Sequence, residues 1–445
     1  MKKIRIGSGA GYAGDRLEPA IDLMIGGQLD YICFEGLAER TIALAQKNKK
    51  ADPASGYNEL LDYRMAQVLP IASKKKIRVI TNMGAANPIG AVNAIAKLAE
   101  KSGLKNLKIA AVLGDDISDK IQDYLDFPVM ETGRPLYSIR NKIISANAYL
   151  GCDGIVAALD QGSDIIITGR VADPSLFLAP MIFEFGWKKT DAIKMGTGTL
   201  IGHLLECAGQ VTGGYFADPG KKEVPDLWNL GFPYVEIDSS GKGYISKLEG
   251  TGGMVTPATC TEQLLYEIHD PKNYITPDCI ADFSRVKFNQ TDKDRVEFNG
   301  ATSREATDTF KVSVGYTNGF MGEGQMSYGG ANCLQRALLA KKVIEKRLEH
   351  LPFTISDLRF DLIGVNSLLD RNKMPEAPNE VRLRVAGKTV SRQEAQRLAN
   401  EVETLYTNGP AGGGGASKKV DEIISIASVL IPKKDVDIQL MYQTT

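Results

Sequence analysis

Through the first 190 residues, short runs of strand-forming residues alternate with stretches whose apolar side chains recur every three or four positions. Ile4–Ile6, Leu29–Phe34, Ile77–Thr81, Leu107–Leu113 and Ile165–Thr168 read as strands. Between them lie helical patterns: Leu17, Ala20, Ile21 and Met24, then the stretches 37–48 and 57–73, then Val92, Ile95, Ala96 and Ala99, then a segment near 148–161. Strands alternating with helices of this length build βαβ units, which restrict the chain to a mainly parallel sheet with flanking helices. The expected fold class is α/β. Over 211–300 the pattern weakens; prolines at 219, 225, 233, 257, 271 and 277 interrupt it, and Tyr234–Ile237 and Tyr244–Leu248 read as short antiparallel strands. From 301 onward strands at 311–316, 358–364, 381–386, 427–431 and 436–441 accompany helices at 331–349 and 391–406. We therefore expect an α/β domain over 1–210, an irregular antiparallel insertion over 211–300 and an α+β domain over 301–445.

Polar residues stand where the strands end: Gly7-Ser8-Gly9, Phe34-Glu35, Thr81-Asn82, Gly114-Asp115-Asp116 and Thr168-Gly169-Arg170. In a parallel α/β sheet the C-terminal strand edge is the usual ligand face, so these residues are expected to converge there. The same residue types also cap helices, and Asp15, Asn87 and Asp173 are taken as caps. Of the 45 glycines, 21 fall in the four windows 7–14, 195–214, 315–330 and 409–415. Glycine is favoured where backbone must turn with positive φ or approach a ligand closely, so the clusters suggest either a site built from backbone or flexible turns.

Gly9-Ala10-Gly11-Tyr12-Ala13-Gly14 is formally GxGxxG, after a strand and before a helix, with Glu35 closing the next strand. That is the context of a dinucleotide fingerprint. Asp15, directly after the last glycine, puts a negative charge where pyrophosphate would bind. One reading is an NAD(P)-dependent oxidoreductase; the other is a loop that holds a substrate anion, with Arg16 as counter-ion.

The stretch from Ile6 through Asp15-Arg16-Leu17-Glu18-Pro19-Ala20 resembles the opening of the acyclic terpene utilisation (AtuA) family. The likeness continues through Asp30–Thr41, Asp52–Tyr57, Thr81–Pro88 and Thr168–Leu176. The resemblance implies catabolism of branched acyclic terpenes as coenzyme A thioesters, with a hydratase or carbon–carbon lyase role, and brings no nicotinamide. Some members of that family carry an additional small C-terminal domain, and this chain is expected to stop before it. Hence a homo-oligomer with a small accessory subunit is expected. A non-catalytic ligand-binding subunit that needs such a partner is a further reading.

Read from the residues alone, Glu35 and Glu39 beside Arg40 offer two carboxylates whose proton affinities could be driven apart, as acid/base chemistry requires, although acidic residues also favour a helix start. Asn82 could donate to a carbonyl oxygen, and Arg170 at a strand end could hold a carboxylate or phosphate bidentately or pair with Asp173. Glu323, amid Gly322 and Gly324 ahead of a helix, is the second acid/base candidate. Gly9, Gly11, Gly14, Gly322, Gly324 and Gly413 are candidate anion-holding loop positions, the run at 410–419 equally suiting a hinge. His203 and Cys207, four apart with Glu206 between, fall short of a metal site and read as core packing. No cofactor is expected, though Asp115 and Asp116 could hold Mg²⁺.

The overall balance closes off other classes. Fifty-three basic and 54 acidic side chains leave no basic footprint for nucleic acid. No apolar run approaches 18 residues, so no membrane span is expected, and the first residues lack a signal-peptide core. Six scattered cysteines without a CxxC pair suit a reducing, cytoplasmic setting. The substrate expected is a small carboxylate or an acyl-CoA thioester.

Overall fold

The fold was obtained as a computed structural model that describes residues 1–369 and 378–445. β1 (Lys3–Gly11) leads to α1 (Glu18–Gly26), β2 (Tyr31–Glu35) to α2 (Glu39–Ala51) and α3 (Leu61–Lys75), and β3 (Arg78–Thr81) to α4 (Pro88–Lys101). β4 (Lys108–Leu113) and β5 (Ile143–Ala148) precede α5 (Asp153–Asp160); β6 (Ile165–Thr168) precedes α6 (Asp173–Phe185) and α7 (Ala192–Glu206). A strand-rich stretch follows: β7 (Pro233–Asp238), β8 (Gly243–Lys247), α8 (Pro257–Leu265), β9 (Tyr274–Ile275), β10 (Ile280–Asp282), β11 (Lys287–Asp292), β12 (Arg295–Asn299) and β13 (Thr302–Arg304). The remainder comprises β14 (Thr309–Gly329), α9 (Cys333–Leu348), β15 (Ser356–Ile363), β16 (Glu380–Thr389), α10 (Arg392–Glu403), β17 (Gly413–Pro432) and β18 (Gln439–Thr444). The α/β class expected from the alternation is the class observed.

Two compact units divide the chain: residues 1–315 with 426–445, and residues 316–425. These limits do not coincide with the expected boundaries at 210 and 300. The stretch 211–300 falls within the first unit: β7, β8, β11 and β12 extend the main sheet, while β9 and β10 pair with β13 in a small three-stranded sheet. That sheet runs β11-β12-β8-β7-β1-β2-β3-β6-β4-β18. Its centre, β1-β2-β3-β6-β4, is parallel, as βαβ connections demand. β7 joins antiparallel to β1, from Lys3 opposite Asp238 to Gly7 opposite Tyr234, and β18 closes the other end antiparallel to β4.

One face of the parallel centre is sealed by α1, α3 and α4. Leu23, Met65, Val68, Val92 and Ile95 pack there on Ile32, Phe34, Val79, Ile109 and Ile167. α6 and α7 lie on the opposite side: Cys33 Sγ donates to Leu176 O, and an added Cβ on Gly11 would sit 2.5 Å from the Cys207 carbonyl carbon. α7 is buried from Met195 to Glu206. Its glycines serve helix packing: Gly196 lies on Thr302, Gly198 on Leu178 and Gly202 on Pro174.

In the second unit the strands run β15-β16-β14-β17. Met326, Tyr328, Leu383 and Val385 form a core with Ala337 and Ile344 of α9 and Leu398 and Val402 of α10. The glycine windows near 322 and 413 are strands here, not loops. A Cβ on Gly322 would lie 2.3 Å from Ala395 O and one on Gly324 2.6 Å from Val402 Cβ, so glycine lets α10 settle on the sheet.

Candidate functional site

A cavity of about 810 Å³ opens at the C-terminal ends of β1, β2 and β6. All of its lining comes from the first unit. Gly11, Arg16, Glu35, Glu39 and Arg170 line it, which brings five of the sequence candidates together, and Asp15, expected as a cap, lines it as well. Tyr149, Asp173, His203, Glu206 and Glu267 complete its polar wall, and Leu227, Leu230 and Phe232 are part of its apolar side.

Glu35 ends β2 and is 8 % exposed. Its Oε1 accepts from the Leu37 amide at 2.7 Å and from Asn82 Nδ2 at 3.1 Å. Oε2 receives no hydrogen bond among the described residues. Asn82 in turn accepts from the Gly36 amide at 2.8 Å, so it fixes both the carboxyl and the loop after it. Asn82 does not itself line the cavity. Burial first, and then the charge of Asp173, pushes the Glu35 carboxyl up to about 8 against the hydrogen bonds and Arg170, which pull the other way. At neutral pH this side chain holds a proton.

Arg170 is 2 % exposed. One Nη1 donates to Leu37 O and to Asp173 Oδ1 at 3.0 Å, and Nη2 lies 3.4 Å from Glu39 Oε1. Its guanidinium stands 4.5 Å over the Tyr149 ring. Burial opposes its charge, but Asp173, Tyr149 and the two glutamates outweigh burial and hold it protonated above its ordinary range. Glu39 is held low despite burial, chiefly by Arg170. Arg170 is thus committed to protein partners; only Nε is buried without a hydrogen-bond partner among the described residues.

Two of the three expected caps act otherwise. Asp15 Oδ2 accepts from the Gly11 amide at 2.9 Å and Oδ1 from the Arg16 amide, so it braces the glycine loop, while Leu17 is the N-cap of α1 without a side-chain bond. Asp173 opens α6 but binds Arg170 and approaches the Tyr149 hydroxyl at 3.5 Å. Burial pushes its carboxyl up, ahead of Arg170's opposing pull. Asn87 is a cap: it accepts from the Gly90 amide at 3.0 Å and donates to Ser55 O.

The dinucleotide geometry is not reproduced. The Gly11 amide is taken by Asp15, Gly9 accommodates the Phe34 ring, Gly14 lies against Tyr12, and α1 begins four residues past Gly14. β1 is flanked by parallel β2 and antiparallel β7, so no crevice between two diverging parallel neighbours exists there. Asp115 and Asp116 are also occupied. Asp115 accepts from the Arg170 amide and Asn147, and burial pushes it up to about 6; Asp116 accepts from Gln46 and Ser118. Among the described residues no group of three or more His, Cys, Asp or Glu is arranged for a metal ion, and no helix is long and apolar enough to cross a membrane.

Glu323 is not in the cavity lining. It lies in the second unit's sheet, where Oε2 accepts from Arg384 Nε at 2.7 Å, and Arg384 also holds Asp361. Gly322, Gly324 and Gly413, expected as anion-holding loop positions, share that unit and are absent from the lining. Sequence reasoning read His203 and Glu206 as core packing and not as part of a site. His203 Nδ1 lies 2.7 Å from Glu206 Oε1 and Nε2 lies 3.2 Å from Leu264 O. The available signal was two ionisable side chains at the end of a helix whose residues from Met195 to Leu205 are otherwise apolar, glycine or threonine.

The sequence model of one family, described as acyclic terpene utilisation family protein AtuA, matches residues 4–442. No curated protein and no solved structure matches the chain.

Proposed function

The chain belongs to the acyclic terpene utilisation (AtuA) family, and from that membership we propose that it is a lyase or hydratase that moves protons on an acyl thioester, with Glu35 as a proton-transfer group. The observation that carries this reading is the Glu35 carboxyl: fixed through Oε1 and proton-holding near neutrality at the wall of the cavity. In dehydration of a 3-hydroxyacyl thioester, a base takes the C2 proton and the C2–H electrons form the C2=C3 bond. The C3–O bond breaks, and the departing oxygen receives a proton to leave as water. Glu35 supplies that last proton; in hydration it takes the proton back from water.

The electrostatics favour an uncharged acyl group over a free carboxylate. Six carboxyl side chains and two arginines line the cavity. A substrate carboxylate there would place like charge beside Asp173, in a buried wall whose arginine is already engaged. A thioester carbonyl carries no such charge, and Leu227, Leu230 and Phe232 suit a branched acyl chain. Arg16, exposed at the cavity, is the remaining cation for an anionic tail.

The test is a panel of branched 2-enoyl-CoA and 3-hydroxyacyl-CoA thioesters, followed by enoyl absorbance. The wild-type chain should interconvert at least one pair, and Glu35→Gln should lower kcat by about 10²–10⁴-fold. Turnover that is unchanged in Glu35→Gln would overturn the assignment.

A further inference from the structure

Elimination needs a base for C2 as well as an acid for the oxygen. We propose that Glu206, oriented by His203, is that second proton-transfer group; this rests on the acid/base reading above. Three observations place it.

First, the tautomer is fixed by the surroundings. Leu264 O can only accept, so His203 Nε2, 3.2 Å away, must carry a hydrogen. Gln263 Nε2 donates to His203 O at 2.9 Å, tying the end of α7 to α8, and the imidazole lies 5.1 Å from the Tyr274 ring. The ring therefore has one nitrogen left for chemistry, Nδ1, and that nitrogen meets Glu206 Oε1 at 2.7 Å.

Second, with Nε2 already protonated, this contact contains one proton. It is either an imidazolium facing a carboxylate or a neutral imidazole facing a carboxylic acid. Both forms keep the same heavy-atom geometry, so a proton can arrive at or leave Glu206 without rearrangement. Burial raises the Glu206 carboxyl to about 7 in spite of His203, and Glu206 raises His203 in spite of burial. Asp173 of α6 and Glu267 beyond α8 also face Glu206 and favour the protonated form. The phenols of Tyr149 and Tyr274 and the Cys207 thiol lie within its field, burial keeping all three neutral.

Third, Glu206 lines the cavity, and its Oε2 is buried with no hydrogen-bond partner among the described residues. A buried carboxylate oxygen left unpaired is unfavourable, and native structures retain few of them. A function that presents Oε2 to a substrate C–H accounts for it. Glu206 as carboxylate takes the C2 proton while His203 stays imidazolium; the proton later returns to water.

The experiment separates the two carboxyls. A 3-hydroxyacyl-CoA from the panel is incubated in D₂O, and deuterium at C2 is followed apart from water loss. Glu206→Gln should lower C2 exchange by about a hundredfold or more, whereas Glu35→Gln should lower water loss and retain C2 exchange. Unaltered C2 exchange in Glu206→Gln, with water loss abolished in Glu35→Gln, overturns the proposal and leaves the acid/base reading standing. Absence of exchange and water loss in the wild-type chain for every thioester overturns the acid/base reading itself. A second measurement needs no turnover: ¹⁵N NMR of histidine-labelled protein. His203 Nε2 should stay protonated from pH 5 to 9 while Nδ1 titrates, and Glu206→Gln should leave a neutral ring over that range. A deprotonated Nε2, or an Nδ1 titration that survives Glu206→Gln, overturns the dyad whatever the substrate.

Discussion

Replacing Glu35 by glutamine should stabilise the first unit, and the gain should grow with pH. In the unfolded chain Glu35 releases its proton near the ordinary 4.5; in the fold it does so only near 8, because burial and Asp173 penalise its charge. Between those values the unfolded state has lost a proton that the native state keeps. Native stability therefore falls as pH rises through this window, by about 1.4 kcal/mol per pH unit. Across the whole window the loss approaches roughly 5 kcal/mol, an upper figure because the cavity admits water that screens the charge. Glutamine keeps the shape and an Oε1 that can accept from Leu37 and Asn82, and it has no proton to lose. The variant and the wild type should thus be nearly equal at pH 4.5 and furthest apart at pH 9. Both tryptophans, Trp187 and Trp228, belong to the first unit, so urea unfolding followed by their fluorescence reads the relevant body. Titrating groups outside the field of Glu35 cancel in the difference between the two proteins, leaving Glu35 and its neighbour Asp173 as the source of the gap. A gap that stays constant from pH 5 to pH 9, or one that favours the wild type as pH rises, would refute the buried-proton argument.

Gly11→Ala should lower the thermal midpoint, equivalent to about 1–3 kcal/mol, because its Cβ would press on the Cys207 backbone rather than on a movable side chain; an unshifted midpoint in calorimetry would contradict that packing. Glu323→Gln should leave thioester turnover within about twofold of wild type and weaken the second unit by about 1 kcal/mol at most, since Arg384 keeps Asp361; a large kcat loss would return Glu323 to the catalytic set. Asn87→Ala should destabilise by about 1–2 kcal/mol through the lost cap on α4, with unchanged pH dependence of turnover as the control.

Periodicity made the parallel centre legible, since each of its helices shows its buried stripe directly in the sequence. Strand pairing was not legible in the same way. Tyr234–Ile237 reads as an antiparallel strand, but nothing local says that it will lie on Lys3–Gly7 rather than form a body of its own. β14 misled for a physical reason: Gly322 and Gly324 look like a loop, yet glycine is there because α10 comes too close for any Cβ. At the site, Glu35 and Arg170 could be found because each ends a strand on the ligand face. The role of Asp15 could not, because a cap and a loop brace draw on the same residue type, whereas the pairing of Asp173 with Arg170 was one of two readings their spacing left open. His203 and Glu206 read as packing because the carbonyl that fixes the ring, Leu264 O, lies 61 residues away.

The pairing of β18 with β4 has a consequence for how the protein is made. Leu107 and its partner Thr445 are 338 residues apart. At roughly 5–20 residues per second, β4 leaves the ribosome some 20–70 s before the strand that covers it. For that interval the nascent sheet ends in Lys108–Leu113, whose middle residues Ile109, Ala110, Ala111 and Val112 are all apolar and uncharged. A bare apolar edge is a template for pairing with a neighbouring chain. Polysomes carrying several unfinished copies bring such edges close together, so yield in cells should depend on chaperone capacity during synthesis more than on the stability of the finished fold.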